Sequence, residues 1–174
     1  MKSAERPLRW GFMLLGIIAA GACLAWWLAA AADREMRADL LRQARLLAES
    51  VNLKHVEALN GSAADLEKPE YLRLKEQFSA VRSAYDHCRF IYLLGQRPYG
   101  DIFFILDSEP PDSVSHSPPG RPYAEISEEG RKVFENRAAV VIGPASDRWG
   151  ARLSTFVPLI NPQSGELIAV LVMD

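Results

Sequence analysis

The residues best suited to chemistry lie in one short stretch near the end of the chain, residues 147–154, which reads DRWGARLS. An arginine presents a planar pair of N–H donors that fits a carboxylate, and an aromatic ring can form the wall of a pocket. The stretch is therefore a candidate binding site for a small anion, through Arg148, Trp149, Arg152 and Ser154. The structural alternative is that Arg148 pairs with Asp147 or Asp107 and only closes the end of a sheet.

Further candidate ligand contacts are Tyr92, Asp107, Tyr123 and Asp174. Each also has a structural interpretation. A tyrosine on a strand, such as Tyr92, is typical of a core residue, and Asp107 can cap a loop by accepting backbone amides. The carboxylate of Asp174 follows an apolar strand, where it is costly unless it is solvated or partnered. It is predicted to accept from Arg148 or from a ligand ammonium, or to mark the exit toward a second membrane helix.

Neither metal binding nor catalysis is favoured by the sequence. The histidines His55, His87 and His116 are scattered, without the spacing of metal ligands. No Gly-x-Ser-x-Gly elbow, phosphate-binding loop or His-Glu-x-x-His motif occurs. No metal and no cofactor are predicted, and a net charge of −2 argues against nucleic acid as a partner.

Residues 10–32 carry no charge and are long enough to cross a hydrocarbon core of about 30 Å as a helix. Because Lys2, Arg6 and Arg9 precede this span, residues 1–9 are predicted to be cytoplasmic and residues 33–174 extracytoplasmic. The protein would then be a single-pass protein of the inner (cytoplasmic) membrane, with the lipid bilayer as a partner.

A cleaved signal peptide is the alternative, because LAAAAD at the end of the span offers small residues for cleavage. The apolar run, however, is longer than the roughly 7–15 residues of a usual signal core. Both interpretations place the later residues outside the cytoplasm. There Cys88 is the lone cysteine, and it is predicted to be a small buried residue.

Two amphipathic helices are predicted after the span. The first continues directly from it, over residues 33–59, with apolar residues at steps of three and four: Met36, Leu40, Ala44, Leu47 and Val51. It is predicted to pack on the core, and a further hypothesis assigns it homodimer contacts through Met36, Leu40, Leu47 and Val51. After the NGSAAD break, Pro69 starts the second helix, with the stripe Tyr71, Leu74, Phe78, Val81 and Tyr85.

Five strands are predicted, over residues 88–95, 101–108, 139–145, 151–160 and 166–173. QRPYG joins the first two as a hairpin, and NPQSG joins the last two. Between these groups lie a proline-rich loop, residues 108–122, and a short helix, residues 125–136, which Gly130 weakens. The prediction is an α+β domain with a five-stranded antiparallel sheet. The long and second helices back one face, and a cavity can form on the other, beneath the loop.

This order of parts resembles the extracytoplasmic Cache/PAS-like sensor domains of bacterial signalling receptors. The resemblance covers residues 33–174 and is carried by RFIYLLG, IFFILDSEPPDS, GPASDRWG and STFVPLINPQSGELIAVLVMD. It implies a PAS/Cache-like sheet packed on the long helix, with a ligand pocket on the opposite face under the long loop. Ligands of relatives include carboxylates, amino acids and other small metabolites. The chain departs from the double-module amino-acid receptors, since it lacks their Arg-x-Trp-Tyr run, and this leaves the ligand class open. Because the strands suffice for one sheet, a single-module version is implied.

By resemblance, the chain is the input region of a sensor histidine kinase of a two-component system, with its output module beyond residue 174. The input domain of a diguanylate cyclase, a phosphodiesterase or a chemoreceptor is the alternative. A ligand-free dimerisation or protein-interaction module is the hypothesis from a different class. An exported enzyme is disfavoured, because no catalytic constellation is found.

Overall fold

The computed structural model describes residues 5–85, 88–147 and 150–174. The chain divides into two compact units, residues 1–39 and residues 40–174. The α-helices are α1 (Glu5–Ser50), α2 (Leu53–Glu57), α3 (Pro69–Ala84) and α4 (Glu128–Asn136), and a 3₁₀ helix spans Ala63–Glu67. The strands are β1 (Ile91–Gln96), β2 (Ile102–Asp107), β3 (Val140–Asp147), β4 (Gly150–Ile160) and β5 (Leu167–Met173).

Helix α1 carries an apolar segment of the kind that crosses membranes. Its most apolar window has a mean hydropathy of 2.1, and none of that window is buried by protein. Among the described residues it is the one helix that is long and apolar enough to span a bilayer, judged by length and composition. A signal sequence near the N-terminus has the same properties, so both interpretations of residues 10–32 agree with this helix.

The prediction that the first outer helix reaches residue 59 is wrong, because α1 ends at Ser50. The Ser50 hydroxyl donates to the carbonyl of Leu47 (2.7 Å), and the Asn52 side chain accepts from the amide of Lys54 (3.1 Å). Asn52 thereby caps a separate helix, α2. A capping side chain of this kind competes with the backbone hydrogen bonds that would continue a helix.

The five strands form one antiparallel sheet in the order β2-β1-β5-β4-β3. β1 and β2 make the predicted hairpin, in which Tyr92 lies opposite Asp107 and Gln96 opposite Ile102. The last strand, β5, is inserted between β1 and β4. The predicted α+β class and five-stranded antiparallel sheet are confirmed.

One face of the sheet, here termed the helix face, packs against the end of α1, α2 and α3. As the apolar stripe predicts, Tyr71, Leu74 and Phe78 of α3 are buried, whereas Tyr85 follows the helix and is exposed. The strand residues that meet them alternate along the chain, as expected for one face of a pleated sheet. They include Ile91, Leu93, Phe103, Ile105, Val157, Leu159, Ala169 and Leu171.

The residues predicted for dimer contacts are divided between core and surface. Leu47 and Val51 belong to the helix-face core and are 7% and 6% exposed. Leu40 is half-buried, and Met36 is 51% exposed. Leu47 and Val51 therefore stabilise the fold of a single chain, and of these four residues Met36 presents the most surface.

The opposite face, here termed the loop face, packs against α4. Ser127 caps this helix by accepting from the amide of Gly130 (3.1 Å), so α4 starts at Glu128 rather than at residue 125. A Cβ atom on Gly130 would lie 2.9 Å from Cγ1 of Ile126 and 3.2 Å from the ring of Phe156. Gly130 costs helix propensity, but it allows α4 to lie close to the sheet.

The end of the predicted loop forms a short extra edge of the sheet. Pro122 makes an isolated antiparallel bridge with Phe103. The amide of Phe104 donates to the carbonyl of Arg121 (3.0 Å), and the amide of Tyr123 donates to the carbonyl of Ile102 (2.9 Å). These hydrogen bonds satisfy backbone groups on the outer edge of β2, and they bring Tyr123 to the loop face.

Asp65 is a fully buried carboxylate that organises the NGSAAD turn. Its Oδ2 accepts from the amides of Asn60 (2.9 Å), Gly61 (2.7 Å) and Ser62 (3.2 Å), and its Oδ1 pairs with Nζ of Lys68 (2.7 Å). Burial alone would raise the pKa of Asp65, but the Lys68 ammonium and the three amides outweigh it. The pKa therefore lies below its ordinary value of 3.8.

The turn that Asp65 holds meets the end of the loop through two glycines. Gly61 has a φ of +70°, and a Cβ there would lie 2.1 Å from Cε2 of Phe103. Gly120 has a φ of +83°, and a Cβ there would lie 2.4 Å from the carbonyl oxygen of Gly61. Both positions require glycine, because the left-handed backbone and the close approach exclude a side chain.

We predict that Asp65→Asn lowers the free energy of unfolding by about 1–3 kcal/mol, because an amide cannot replace the charged acceptor. Since the folded pKa of Asp65 lies below 3.8, its contribution is present above that pH and is lost as the pH falls through the folded pKa. Denaturant unfolding of the detergent-solubilised chain at several pH values measures both effects. The difference between wild type and variant should shrink on acidification.

Asp112→Asn is the matched control for this prediction, because Asp112 is exposed. Its free energy of unfolding should stay within about 0.5 kcal/mol of wild type at neutral pH. A loss of equal size in both variants would show that the Asp65 hydrogen bonds contribute nothing specific.

Candidate functional site

Most of the side chains that the sequence marks as ligand contacts lie together on the loop face. Tyr92 and Tyr123 belong to its apolar cluster, which also contains Phe156. Ser154 and Arg152 precede Phe156 by two and four residues on β4, so strand alternation places them on the same face. Asp174 follows β5 and contacts Tyr92. Arg148 and Trp149 lie outside the described residues.

Three aromatic rings form the floor of this cluster. The rings of Tyr92 and Phe104 are 5.3 Å apart, those of Phe104 and Tyr123 are 5.1 Å apart, and those of Tyr92 and Tyr123 are 6.0 Å apart at nearly a right angle. Such tilted and edge-on contacts are the favourable arrangements of aromatic pairs. Tyr92 is buried and Tyr123 is half-buried, so the floor remains partly open at Tyr123.

The Tyr92 hydroxyl lies between the carboxylate of Asp174 and the hydroxyl of Tyr123. The Tyr92 hydroxyl donates to Oδ2 of Asp174 (3.3 Å) and lies 3.4 Å from the Tyr123 hydroxyl. Burial, followed by the negative charge of Asp174, raises the pKa of Tyr92 well above 10.0. Burial also raises the pKa of Tyr123. Both phenols are therefore neutral hydrogen-bonding groups at physiological pH.

Arg152 adds positive charge beside this group. Its guanidinium lies 5.6 Å from the ring centroid of Phe90, and that of Arg89 lies 5.3 Å from the same centroid. The charge of Arg152 also acts on Tyr123, where it favours the ionised form. Phe90 is tied to the end of β5, because Phe90 and Asp174 exchange backbone hydrogen bonds. The site thus combines a guanidinium, a carboxylate and two phenols on an aromatic floor.

Asp107 is also a candidate from the sequence, and it has a structural role. Its carboxylate is 3% exposed and accepts from the amides of Glu109 (2.9 Å) and Ser117 (2.8 Å). Burial raises its pKa, although these two amides act in the opposite direction. The bonds match the interpretation of Asp107 as a loop cap, since they join the two ends of residues 109–117.

A polar stripe on α3, which was not predicted from the sequence, holds the same segment. Lys75 donates to the carbonyl of Asp107 (2.5 Å) and to that of Glu109. Ser79 donates to the carbonyl of Ser108 (3.1 Å), and Arg82 pairs with the Glu109 carboxylate (2.8 Å). Burial lowers the pKa of Lys75. Lys75, Ser79 and Arg82 follow one another at steps of four and three residues, so the sequence does show that they share one side of a helix.

Three further members of the site were not predicted from the sequence: Arg89, Phe90 and Phe104. Phe90 lies two residues before Tyr92, so the alternation that marks Tyr92 also marks Phe90. Phe104 stands beside Tyr123 only because residues 120–123 turn back along β2, which no local pattern shows.

The described residues contain no group of three or more His, Cys, Asp or Glu side chains that could hold a metal ion. Cys88 is buried, and burial raises the pKa of its thiol to about 12, so it is a poor nucleophile at neutral pH. The groups at the loop face are of the chemical types that can orient a small polar ligand.

Comparison with known proteins leaves the family open. No protein-family model matches the chain, and a search of curated proteins finds no significant match.

We predict that Tyr92 stays protonated at pH 10, the ordinary tyrosine pKa, because burial and Asp174 oppose its ionisation. Phenolate absorbance of the folded chain should rise equally in wild type and in Tyr92→Phe up to that pH. An extra ionising group in the wild type would contradict the prediction. Circular dichroism at each pH shows whether the chain is still folded.

Proposed function

We propose that this chain is the input region of a membrane-anchored sensor of the Cache/PAS-like kind, belonging to a sensor histidine kinase. The observation that carries the proposal is the contrast between the two faces of the sheet. Helices pack an apolar core onto the helix face, whereas the loop face carries a half-buried group rich in polar atoms, formed by Tyr123, Arg152, Ser154 and Asp174. This is the side on which the resemblance puts the ligand pocket.

The proposed ligand is a small metabolite that carries a carboxylate or comparable polar group. Arg152 offers a cation that can pair with an anion, and the neutral phenols of Tyr92 and Tyr123 can donate or accept. Aromatic rings give the ligand apolar walls, while the polar groups fix its orientation. A response follows if the ligand binds one of two conformations of this face more tightly than the other.

A thermal-shift screen of the full chain in detergent, against carboxylates, amino acids and other small metabolites, tests the proposal. A ligand present at 100 times its Kd stabilises the folded state by about 2.7 kcal/mol. We predict that at least one compound raises the Tm by roughly 5–10 °C. Arg152→Gln should weaken binding of that compound at least about tenfold, since it removes the charged partner.

Arg131→Gln is the matched control, because Arg131 is exposed on α4. It should bind the compound as the wild type does. If no compound raises the Tm, or if both variants bind equally, the loop face is not the ligand site. A ligand-free dimerisation module then becomes the better description, and sedimentation of the full chain with Met36→Glu would test it.

We further propose that residues 1–9 are cytoplasmic and that the sheet lies outside the inner membrane. The support is the positive charge of Lys2, Arg6 and Arg9 before the apolar span. In a chain with Cys23 and Cys88 replaced by Ser, we predict that Tyr99→Cys is labelled in intact cells by a membrane-impermeant maleimide. Tyr99 is 95% exposed, so access does not limit its reaction.

Lys2→Cys in the same background should be labelled only after the membrane is permeabilised. The reverse pattern would exclude the proposed orientation. Loss of Lys2→Cys from the mature chain would instead identify a cleaved signal sequence.

A further inference from the structure

Helix α3 holds the chain directly after β2 through partly buried polar contacts. Lys75 and Ser79 donate to three successive carbonyls, those of residues 107–109, and Arg82 holds the carboxylate of Glu109. Glu109 is 8% exposed and also accepts from Ser113 (2.6 Å). Separating these groups would leave buried charges and carbonyls without partners, which is costly. These contacts therefore oppose separation of the segment from the helix.

Residues 107–117 form one unit, because Asp107 bonds to the amides of both Glu109 and Ser117. The chain then continues to residues 120–123, which pair with β2 and deliver Tyr123 to the loop face. A displacement at Tyr123 is thereby connected, through a short and well-anchored stretch, to the groups that α3 holds.

The same helix also holds the end of α1. Nε2 of Gln77 donates to the hydroxyl of Ser50 (3.0 Å) and to its carbonyl (3.3 Å). Gln77 lies on α3 between Lys75 and Ser79, so one helical turn contacts both the segment after β2 and the last residue of α1. In addition, Leu47 and Phe78 belong to one buried cluster.

We propose that α3 is a coupling element, which converts a displacement of residues 107–117 into a displacement of the C-terminal end of α1. The coupling rests on the proposed sensor function in one respect: in the sensor, a ligand bound at the loop face causes the displacement of residues 107–117. The coupling itself is a property of the fold and is testable without a ligand.

Hydrogen exchange of the full chain in detergent, followed by mass spectrometry, tests the coupling. Lys75→Met keeps the aliphatic stem of Lys75 but removes the ammonium that holds two carbonyls. We expect exchange to accelerate about tenfold over residues 107–117 and several-fold over residues 46–56, at the end of α1. Amides of the central strand β5 should keep their rates, which shows that the chain has not unfolded globally.

Gln77→Ala separates transmission from a general loosening. In the Gln77→Ala background, Lys75→Met should still accelerate residues 107–117 but should no longer change residues 46–56. Lys132→Met is the control, because Lys132 pairs with Glu128 on the exposed side of α4, and it should alter neither region. If Lys75→Met does not fold, Ser79→Ala takes its place, because it removes one hydrogen bond to the carbonyl of Ser108. It should accelerate exchange in the same two regions, by a smaller factor.

Faster exchange in residues 107–117 with unchanged rates in residues 46–56 would overturn the coupling. So would a response of residues 46–56 that persists in the Gln77→Ala background. Neither result bears on the thermal-shift screen, so the coupling and the ligand proposal fail independently.

Discussion

The centre of the sheet is buried on both faces, and the rest of the structure depends on this constraint. Residues 91–94 of β1 and 169–172 of β5 are all buried, with neighbours pointing to opposite faces. Strands of this kind need two covering layers. The end of α1 with α2 and α3 supplies the first layer, and α4 with the segment that carries Tyr123 supplies the second. The layer that covers a strand residue decides whether its side chain joins the helix-face core or the loop-face site.

Buried charge is the second constraint, because each charged group removed from water needs a partner. Asp65 meets this need with three amides and Lys68, and Asp107 meets it with two amides. Glu109 is held by Arg82. These carboxylates determine the path of the chain before α3 and after β2. Their hydrogen bonds explain why Asp107, although acidic and beside the site, serves the fold.

The two layers differ in the chemistry of the side chains at their margins. The helix face is filled by aliphatic and aromatic side chains, whereas the loop face ends in the half-buried group around Tyr123, Arg152 and Asp174. In the proposed sensor, a ligand would complete this second layer and so favour the conformation that best accommodates it. The segment after β2 links the second layer to α3, which belongs to the first. A change on one face then has a physical route to the other.

The sequence by itself determined the apolar, uncharged span of α1, the five strands and the apolar stripe of α3, because charge, alternation and helical spacing are local properties. It also marked most of the loop-face residues by their chemical type. The tertiary structure decided which of them meet. Asp174 approaches Tyr92, and Arg152 approaches Phe90, because β5 inserts between β1 and β4, a pairing between distant segments. Lys75, Ser79 and Arg82 have the same spacing whether a helix surface faces water or buried carbonyls, so only the packed structure revealed their role.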